Sequence, residues 1–144
     1  MPFLDKADRE RLWKPDTVEE YKELQRWIGS VKERSESEWM EVLRWYGQND
    51  LFYLLNFLMT DGTVIHSTTG ELFHFHPYYL EKCRRTEYHA IQGRGLDFSA
   101  RSSAKSTCRT KAFPIMMMLN YQDIAMIIFS VEKNLAKKHS NLIR

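Results

Sequence analysis

A lysine followed by two hydroxyl residues, Lys105-Ser106-Thr107, is the part of this sequence whose residue types most directly suggest chemistry. The ammonium group of a lysine can contact the terminal phosphates of a nucleotide, and a serine or threonine hydroxyl can ligate a magnesium ion. The triplet ends the stretch RSSAKST (101–107). The question is whether this stretch binds phosphates or is only a turn of small residues that contains a lysine.

The glycines of a phosphate-binding loop are missing from this stretch. Against the pattern G-x-x-x-x-G-K-[ST], Ser99 stands at the first glycine and Ala104 at the second. A non-glycine residue costs roughly 1–2 kcal/mol in the left-handed conformation, and each Cβ narrows the space for phosphate oxygens. The alternative is a helix cap, in which Ser102 or Ser103 accepts a hydrogen bond from the first turn. The letters alone leave both interpretations open.

The elements predicted around the stretch favour a phosphate site. GLDFSA (95–100) predicts a buried strand, and STCRTKAF predicts a helix that Pro114 interrupts. IAMIIFS (124–130) predicts a second buried strand, and VEKNLAKKHSNLI predicts a helix after it. Strand, loop, helix, strand and helix form a βαβ unit. The predicted fold class is therefore α/β, a P-loop NTPase-type unit with an incomplete parallel sheet.

Helices are predicted before this unit. Capping boxes at Thr17 and Ser35 begin two amphipathic helices, which are expected to end at Gly29 and Gly47. The run LFYLLNFLM (51–59) predicts a third helix that is apolar nearly all round and therefore buried.

A fourth helix is predicted over PYYLEKCRR, with Pro77 at its first position. We divide the chain into a helical leader, 1–62, and the N-terminal half of a P-loop ATPase domain, 63–144.

The composition is that of a folded domain with no strong charge. The chain has 144 residues, is 43% hydrophobic, and carries a formal charge of +2, which is too small by itself to indicate a nucleic-acid partner. Its basic residues are concentrated around the RSSAKST stretch, where eight Lys or Arg between residues 82 and 111 face two acids. The eight are Lys82, Arg84, Arg85, Arg94, Arg101, Lys105, Arg109 and Lys111.

Cysteine usage and hydropathy indicate an intracellular setting. Cys83 and Cys108 lie 25 residues apart without a C-x-x-C spacing, so we expect reduced thiols and no structural disulfide. The N-terminus lacks an apolar signal core, and no apolar run approaches the ~20 residues of a membrane-spanning helix. We expect a soluble cytoplasmic protein with no membrane partner.

Two further groups of residues could carry chemistry. His74, His76 and Cys83 superficially suggest zinc, but a fourth ligand at a suitable spacing is lacking, so partly buried histidines are the favoured interpretation. A set of aromatic residues before the loop could stack on an adenine, although core packing is the favoured role for such residues. The set comprises Phe73, Phe75, Tyr78 and Tyr79.

Four segments of the chain resemble the large subunit of the phage terminase, the motor that packages DNA into the procapsids of tailed bacteriophages. NDLFYLLNFLM is similar to an apolar segment near the start of those proteins, and HPYYLEKCRR to the His-containing helix that follows. LDFSARSSAKST resembles their strand and Walker A loop, and IAMIIFSVEKNLAKKHSNLIR their second strand and next helix. The resemblance covers roughly residues 49–144 and implies the N-terminal portion of the ATPase domain.

The resemblance implies roles for individual residues. Lys105 is expected to contact the β and γ phosphates of ATP, and Ser106 to help hold Mg²⁺. Thr107 and the backbone of Ser102, Ser103 and Ala104 complete the phosphate cradle. Arg101 matches an arginine inside the family's loop, where it stabilises charge on the transferred phosphoryl group as an arginine finger does.

The family also implies partners, and the sequence departs from it in several places. Double-stranded viral DNA, the portal and the small terminase subunit are the implied partners, in an intact protein that can be oligomeric in the host cytoplasm. Ala104 replaces the family's usual glycine, and Pro114 interrupts a helix that is expected to be continuous. No apolar run ending in Asp-Glu follows the second predicted strand, so the Walker B carboxylates and the nuclease domain are missing.

We therefore expect an N-terminal fragment of a packaging ATPase that binds ATP weakly and does not hydrolyse it by itself. Two alternatives stay open. One is a degenerate nucleotide-binding or interaction module without turnover, and the other is a fragment of another, helicase-like P-loop ATPase.

Overall fold

The structure of the protein is a computed structural model that describes residues 12–58, 76–93, 107–121 and 123–125. Apolar residues repeat every three or four positions through much of this part, which is the spacing of one helical face. The elements are α1 (Val18–Arg34), α2 (Glu36–Asn49), α3 (Leu51–Tyr53), the π-helical turn π1 (Leu54–Leu58), α4 (Pro77–Gln92), the π-helical segment π2 (Thr107–Ala112) and α5 (Phe113–Asn120).

Helix α1 begins where the sequence predicts and ends later. The Thr17 hydroxyl accepts a hydrogen bond from Glu20 N at 3.3 Å, which satisfies one of the free amides of the first turn. Gly29 does not end the helix, which continues through it to Arg34. The chain turns at Ser35 instead, where the backbone is extended.

Ser35 links the first two helices. Its backbone N–H donates to Val31 O at 2.9 Å at the end of α1, and its hydroxyl accepts from Glu38 N at 3.4 Å at the start of α2. Helix α2 continues past Gly47 to Asn49. The two capping boxes thus place both helix starts correctly, whereas both glycines give the helix ends too early.

Substitution Ser35→Ala should lower the free energy of unfolding by about 1 kcal/mol, because it removes the hydroxyl that caps α2. Urea denaturation measures the effect. Ser30→Ala is the matched control: the Ser30 hydroxyl bonds to Trp27 O within α1, where an alanine is well tolerated, so its effect should stay within about 0.5 kcal/mol. An equal loss in both variants would contradict a capping role for Ser35.

The apolar run after α2 is buried, as the sequence predicts. Leu51, Phe52, Tyr53, Leu54 and Leu55 are each at most 3% exposed. Their backbone passes from α-helical to π-helical geometry at Leu54, which the sequence did not predict.

Helix α4 begins at Pro77 as predicted and ends at Gln92, directly before Gly93. The Gly93 φ of 70° lies in the left-handed region that favours glycine, so this residue stops the helix. The last described helical segment changes from π to α geometry at Phe113, next to Pro114. A proline has no N–H and crowds the preceding turn, and wider π-helical turns relieve that crowding.

The α/β prediction is wrong for this part of the chain. The described residues are 82% helical and contain no strand or sheet. The apolar faces of α1, α2, α4 and α5 cover one another and surround the buried α3–π1 run, so the core is formed by helix-on-helix packing. An incomplete parallel sheet is not needed as a packing partner for these helices.

The predicted strands lie mostly outside the described residues. This holds for all of 95–100 and for most of 124–130, of which Ile124 and Ala125 are described and are not in a strand. The helix predicted at the end of the chain also lies outside. The division between 62 and 63 stays a prediction, although the core cluster contains residues from both sides of it. None of the described helices is long and apolar enough to cross a membrane.

Candidate functional site

The residues predicted to bind nucleotide lie at the edge of the described structure. Thr107 is the first residue of π2, and its side chain is not described. The other predicted site residues lie outside the described residues; they are Arg101, Ser102, Ser103, Ala104, Lys105 and Ser106. The structure therefore locates the end of the RSSAKST stretch but not its geometry.

The helical segment after the stretch is anchored in the core. Cys108, Ala112 and Met116 are at most 8% exposed and lie on one face of π2 and α5. This face packs against α2 and π1. The structure describes this segment from Thr107, which is two residues after Lys105 in the chain, and the first amides of a helix have no partner within the helix. Those amides and the associated positive end of the helix dipole attract anions.

A cavity of about 300 Å³ lies between α4 and this segment. Its lining residues are Thr86, His89, Ala90, Gly93, Arg109, Phe113 and Met117. Gly93 directly precedes residues 94–106, which lie outside the described residues, and Gly93 lines the cavity. Arg109, three residues after that range, lines the cavity as well. The buried Nδ1 atom of His89 has no hydrogen-bond partner among the described residues. The cavity thus combines apolar walls with an imidazole and a guanidinium group.

A buried carboxylate, Asp50, connects three helices. It is 0% exposed, and the Tyr21 hydroxyl donates a hydrogen bond to its Oδ2. Arg84 Nη1 of α4 lies 3.3 Å from Asp50 Oδ1, and Tyr53 N donates to the same oxygen at 3.0 Å. Asp50 therefore caps α3 and also neutralises a charge from α4. Because a buried charge is costly unless it is paired and hydrogen-bonded, these contacts fix α1, α3 and α4 in one arrangement.

Arg84 is the cation of this network. Its Nη2 donates to Pro15 O at 2.7 Å and to the Tyr21 hydroxyl at 2.6 Å. Burial alone disfavours the guanidinium charge, yet Asp50, Tyr21 and Glu87 more than offset it and raise the Arg84 pKa. Arg84 therefore has a structural role in this network, although in the sequence it is one of the eight basic residues around the RSSAKST stretch.

Glu87 extends the network to the chain before α1. Its Oε1 accepts from Leu51 N at 2.7 Å, and its Oε2 pairs with Lys14 Nζ at 2.5 Å and with Arg84 Nη1 at 3.3 Å. The excess of positive charge around the RSSAKST stretch is thus partly neutralised by ion pairs with acidic residues of the fold. Arg85 is compensated as well, because it pairs with Glu81 on the surface of α4.

The two cysteines lie against each other. Cys83 of α4 and Cys108 of π2 are both free thiols and at most 1% exposed, with their Sγ atoms 3.7 Å apart. The sequence separation of 25 gave no indication of this contact. The absence of a structural disulfide stays a prediction, and the contact between the two thiols is a feature that only the fold creates.

The other sequence candidates are not assembled into a site. The His76 imidazole caps α4, because its Nδ1 accepts from Tyr78 N at 3.2 Å. Within the described ranges, no three His, Cys, Asp or Glu residues cluster as metal ligands. Tyr78 is 44% exposed, whereas Tyr79 packs against the core. Their adenine-stacking role stays a prediction, and the remaining members of those sets, Phe73, His74 and Phe75, lie outside the described residues.

Sequence reasoning missed the Asp50 network and the cysteine pair. The position of Asp50, directly before an apolar helix, does indicate an N-cap and could have been recognised. No sequence pattern indicates that Tyr21 and Arg84 meet it, because these residues are 29 and 34 positions away. The cysteine contact likewise depends on how α4 packs against π2.

Comparison with known proteins gave no match at any level. No protein-family model matches the chain, and no curated protein sequence and no solved structure is significantly similar to it. The terminase resemblance therefore depends on the four sequence segments alone.

Proposed function

We propose that this chain is the ATP-binding part of a DNA-packaging motor related to the terminase large subunit. In this proposal, residues 101–107 bind the phosphates of ATP together with Mg²⁺. Viral DNA, the portal and the small terminase subunit are partners of the intact motor, which acts in the host cytoplasm. The proposal requires a phosphate-binding segment at a helix start and does not require the α/β sheet that the described structure contradicts.

One observation carries the proposal. The helical segment π2 is described from Thr107, directly after Lys105 and Ser106 in the chain, and its inner face is fixed by the buried side chains of Cys108 and Ala112. A phosphate site needs a rigid helix start beneath the anion and a lysine just before it. The chain has both in the required order.

The residue types fit the proposed ligands. The Lys105 ammonium group supplies a point charge for the β and γ phosphates, and the Ser106 hydroxyl is a suitable oxygen ligand for Mg²⁺. Arg101 can bind a phosphate oxygen with two parallel hydrogen bonds. ATP and Mg²⁺ supply the transferable phosphoryl group and its charge compensation, while the chain holds the phosphates at the helix start.

Binding without turnover is the expected activity of these residues. Hydrolysis requires a carboxylate or an equivalent group to orient the attacking water. Residues 101–107 contain no carboxylate for this role. Arg101 can stabilise charge in a transition state, but that contributes little without a positioned nucleophile.

The variant Lys105→Ala should weaken ATP binding roughly 10- to 100-fold, because it removes one charge-assisted contact worth about 1.5–3 kcal/mol. Calorimetric titration with ATP and Mg²⁺ measures the change. Lys111→Ala is the matched control, since it removes the same charge from π2, six residues further along the chain. Equal binding heats for all three proteins would reject the proposal.

The alternative function is that of an interaction module without nucleotide. The observation in its favour is a group of large apolar side chains that are exposed on α4 and at the end of α5, with exposures from 45% to 82%. They are Tyr88, Ile91, Met118, Leu119 and Tyr121. The same titration separates the two functions, because an interaction module gives no heat that depends on Lys105.

A further inference from the structure

The contact between Cys83 and Cys108 joins two elements that are otherwise separate in sequence. Cys83 belongs to α4, and Cys108 is the second residue of π2, three positions after Lys105. A disulfide has an S–S length of about 2.05 Å, so the two Sγ atoms at 3.7 Å must approach by roughly 1.6 Å to form one. The sulfur atoms already touch, and both side chains are enclosed by the core.

We propose that Cys83 and Cys108 form a reversible redox site, in which a small hydroperoxide oxidises Cys108 and Cys83 then resolves it to a disulfide. The cross-link ties the start of π2 to the middle of α4. In reducing surroundings the pair is a dithiol, and thiol exchange with a reductant such as glutathione returns it to that state.

The chemistry balances in two steps. In the first, the Cys108 thiolate attacks one peroxide oxygen, the O–O bond breaks, and a sulfenic acid forms while the leaving oxygen departs as water or an alcohol after taking up a proton. In the second, the Cys83 sulfur attacks the sulfenic sulfur, the S–S bond forms, and the S–O bond breaks. The departing hydroxide takes the Cys83 proton and leaves as a second water, so two thiols and one peroxide give one disulfide.

The surroundings assign different roles to the two thiols. The hydrogen bond from Cys83 lowers the Cys108 pKa against the opposing effect of burial, and the positive charges of Lys82 and Arg109 lower it further. The hydrogen bond with Cys108 raises the pKa of Cys83, and the burial of its thiol raises it further. Because the thiolate is the nucleophile, Cys108 attacks the peroxide and Cys83 resolves.

The cavity beside α4 is lined by residues that are close to the two cysteines in the chain. Arg109, the neighbour of Cys108, lines the cavity of about 300 Å³, and so does Thr86, one helical turn from Cys83. A water molecule occupies about 30 Å³ in the liquid, and hydrogen peroxide is only slightly larger, so the cavity can admit it. Because both thiols are at most 1% exposed, a larger oxidant such as cumene hydroperoxide should react more slowly than hydrogen peroxide.

The first experiment treats the reduced full-length chain with hydrogen peroxide, stops the reaction with a thiol-alkylating reagent and determines the mass of the intact protein. The expected product is a monomer that has lost two hydrogen atoms, takes up no alkylating reagent and regains both thiols with dithiothreitol. The chain contains only two cysteines, so any intramolecular disulfide is this pair. The cross-link should raise the midpoint of thermal unfolding by several degrees, since it constrains the unfolded chain.

The second experiment separates the two roles. Cys83→Ser leaves Cys108 without a resolving thiol, so a dimedone probe should trap its sulfenic acid. Cys108→Ser leaves only the less acidic Cys83, and the dimedone adduct should form at least tenfold more slowly. The wild type should give little adduct, because resolution competes with trapping.

Several results would overturn the proposal. Retention of two alkylatable thiols in the wild type, formation of disulfide-linked dimers alone, or equal trapping in the two serine variants would each do so. If a serine variant does not fold, the wild-type reaction decides: disulfide formation in the native chain must be at least tenfold faster than in the urea-unfolded chain. These measurements involve no nucleotide, so their outcome is independent of the proposed ATP binding.

Discussion

Replacement of Asp50 by alanine is expected to lower the free energy of unfolding by about 3–5 kcal/mol, the usual effect of removing one partner of a buried ion pair. Asp50 is fully buried and accepts from the Tyr21 hydroxyl, while Arg84 Nη1 lies 3.3 Å from it. The alanine leaves the Arg84 charge without its most deeply buried counter-ion and removes the cap of α3 at Tyr53 N. Equilibrium urea denaturation followed by circular dichroism measures the loss.

Glu81→Ala is the matched control for Asp50→Ala. It also removes a carboxylate from an arginine on α4, but the Glu81–Arg85 pair is on the surface, with side chains 61% and 70% exposed. An exposed pair of this kind contributes at most about 1 kcal/mol. A loss below about 1 kcal/mol for Asp50→Ala, or equal losses for both variants, would show that the buried network does not hold the helices together.

Alkaline pH is expected to unfold the protein through its buried tyrosines. Burial raises the pKa values of Tyr21, Tyr46 and Tyr53 above the ordinary value of about 10, and the nearby Asp50 carboxylate adds to each shift. The folded state therefore favours the protonated phenols. Their contribution to stability is complete below pH 10 and is lost as the pH rises from 10 toward the folded-state pKa values, because the unfolded chain releases these protons first.

The size of this effect follows from proton linkage. Each such tyrosine lowers the free energy of unfolding by up to about 1.4 kcal/mol per pH unit above 10, and three together by about 4 kcal/mol per unit. A domain of ordinary stability, about 5–15 kcal/mol, then loses most or all of it within about two to four pH units. Urea denaturation at several pH values from 9 to 11 measures the slope.

Tyrosinate absorbance provides a direct check. At pH 10.5 an unfolded tyrosine is about three-quarters ionised, so the native chain should show about two fewer ionised tyrosines than the same chain in urea, out of the seven that it contains. Tyr21→Phe should reduce that difference by about one and the stability slope by about a third. Identical titration of native and unfolded chains would contradict the burial of these phenols.

The helices themselves were determined by the sequence. The residues that α1 buries include Val18, Tyr21, Leu24 and Ile28, the face that its periodicity predicts. Thr17 and Ser35 begin helices because their hydroxyls can accept from the first-turn amides, which is a local interaction. Burial of 51–55 was predictable as well, since a run apolar on all sides has no face that favours water.

Helix ends and the fold class were not predictable in the same way. A glycine in a helix interior costs only about 1 kcal/mol relative to alanine. The packing of α1 against α2 outweighs this cost at Gly29 and Gly47. The strands predicted at 95–100 and 124–130 lie mostly outside the described residues, and a short apolar run has no periodicity that separates a strand from a buried helix. In the described part of the chain, helices cover the apolar faces that a sheet was expected to cover.

In the candidate site too, some features depend on neighbours in the chain and others on tertiary packing. The sequence by itself determined the residue types that suit phosphate and Mg²⁺, Lys105, Ser106 and Thr107, and the helical segment that follows them, since both depend on neighbours in the chain. Only the tertiary structure decided that Arg84 is a buried structural ion and that Cys83 and Cys108 touch. Those contacts join residues 25 to 34 positions apart, and their distances depend on how α4 packs against its neighbours, which no local pattern of residues specifies.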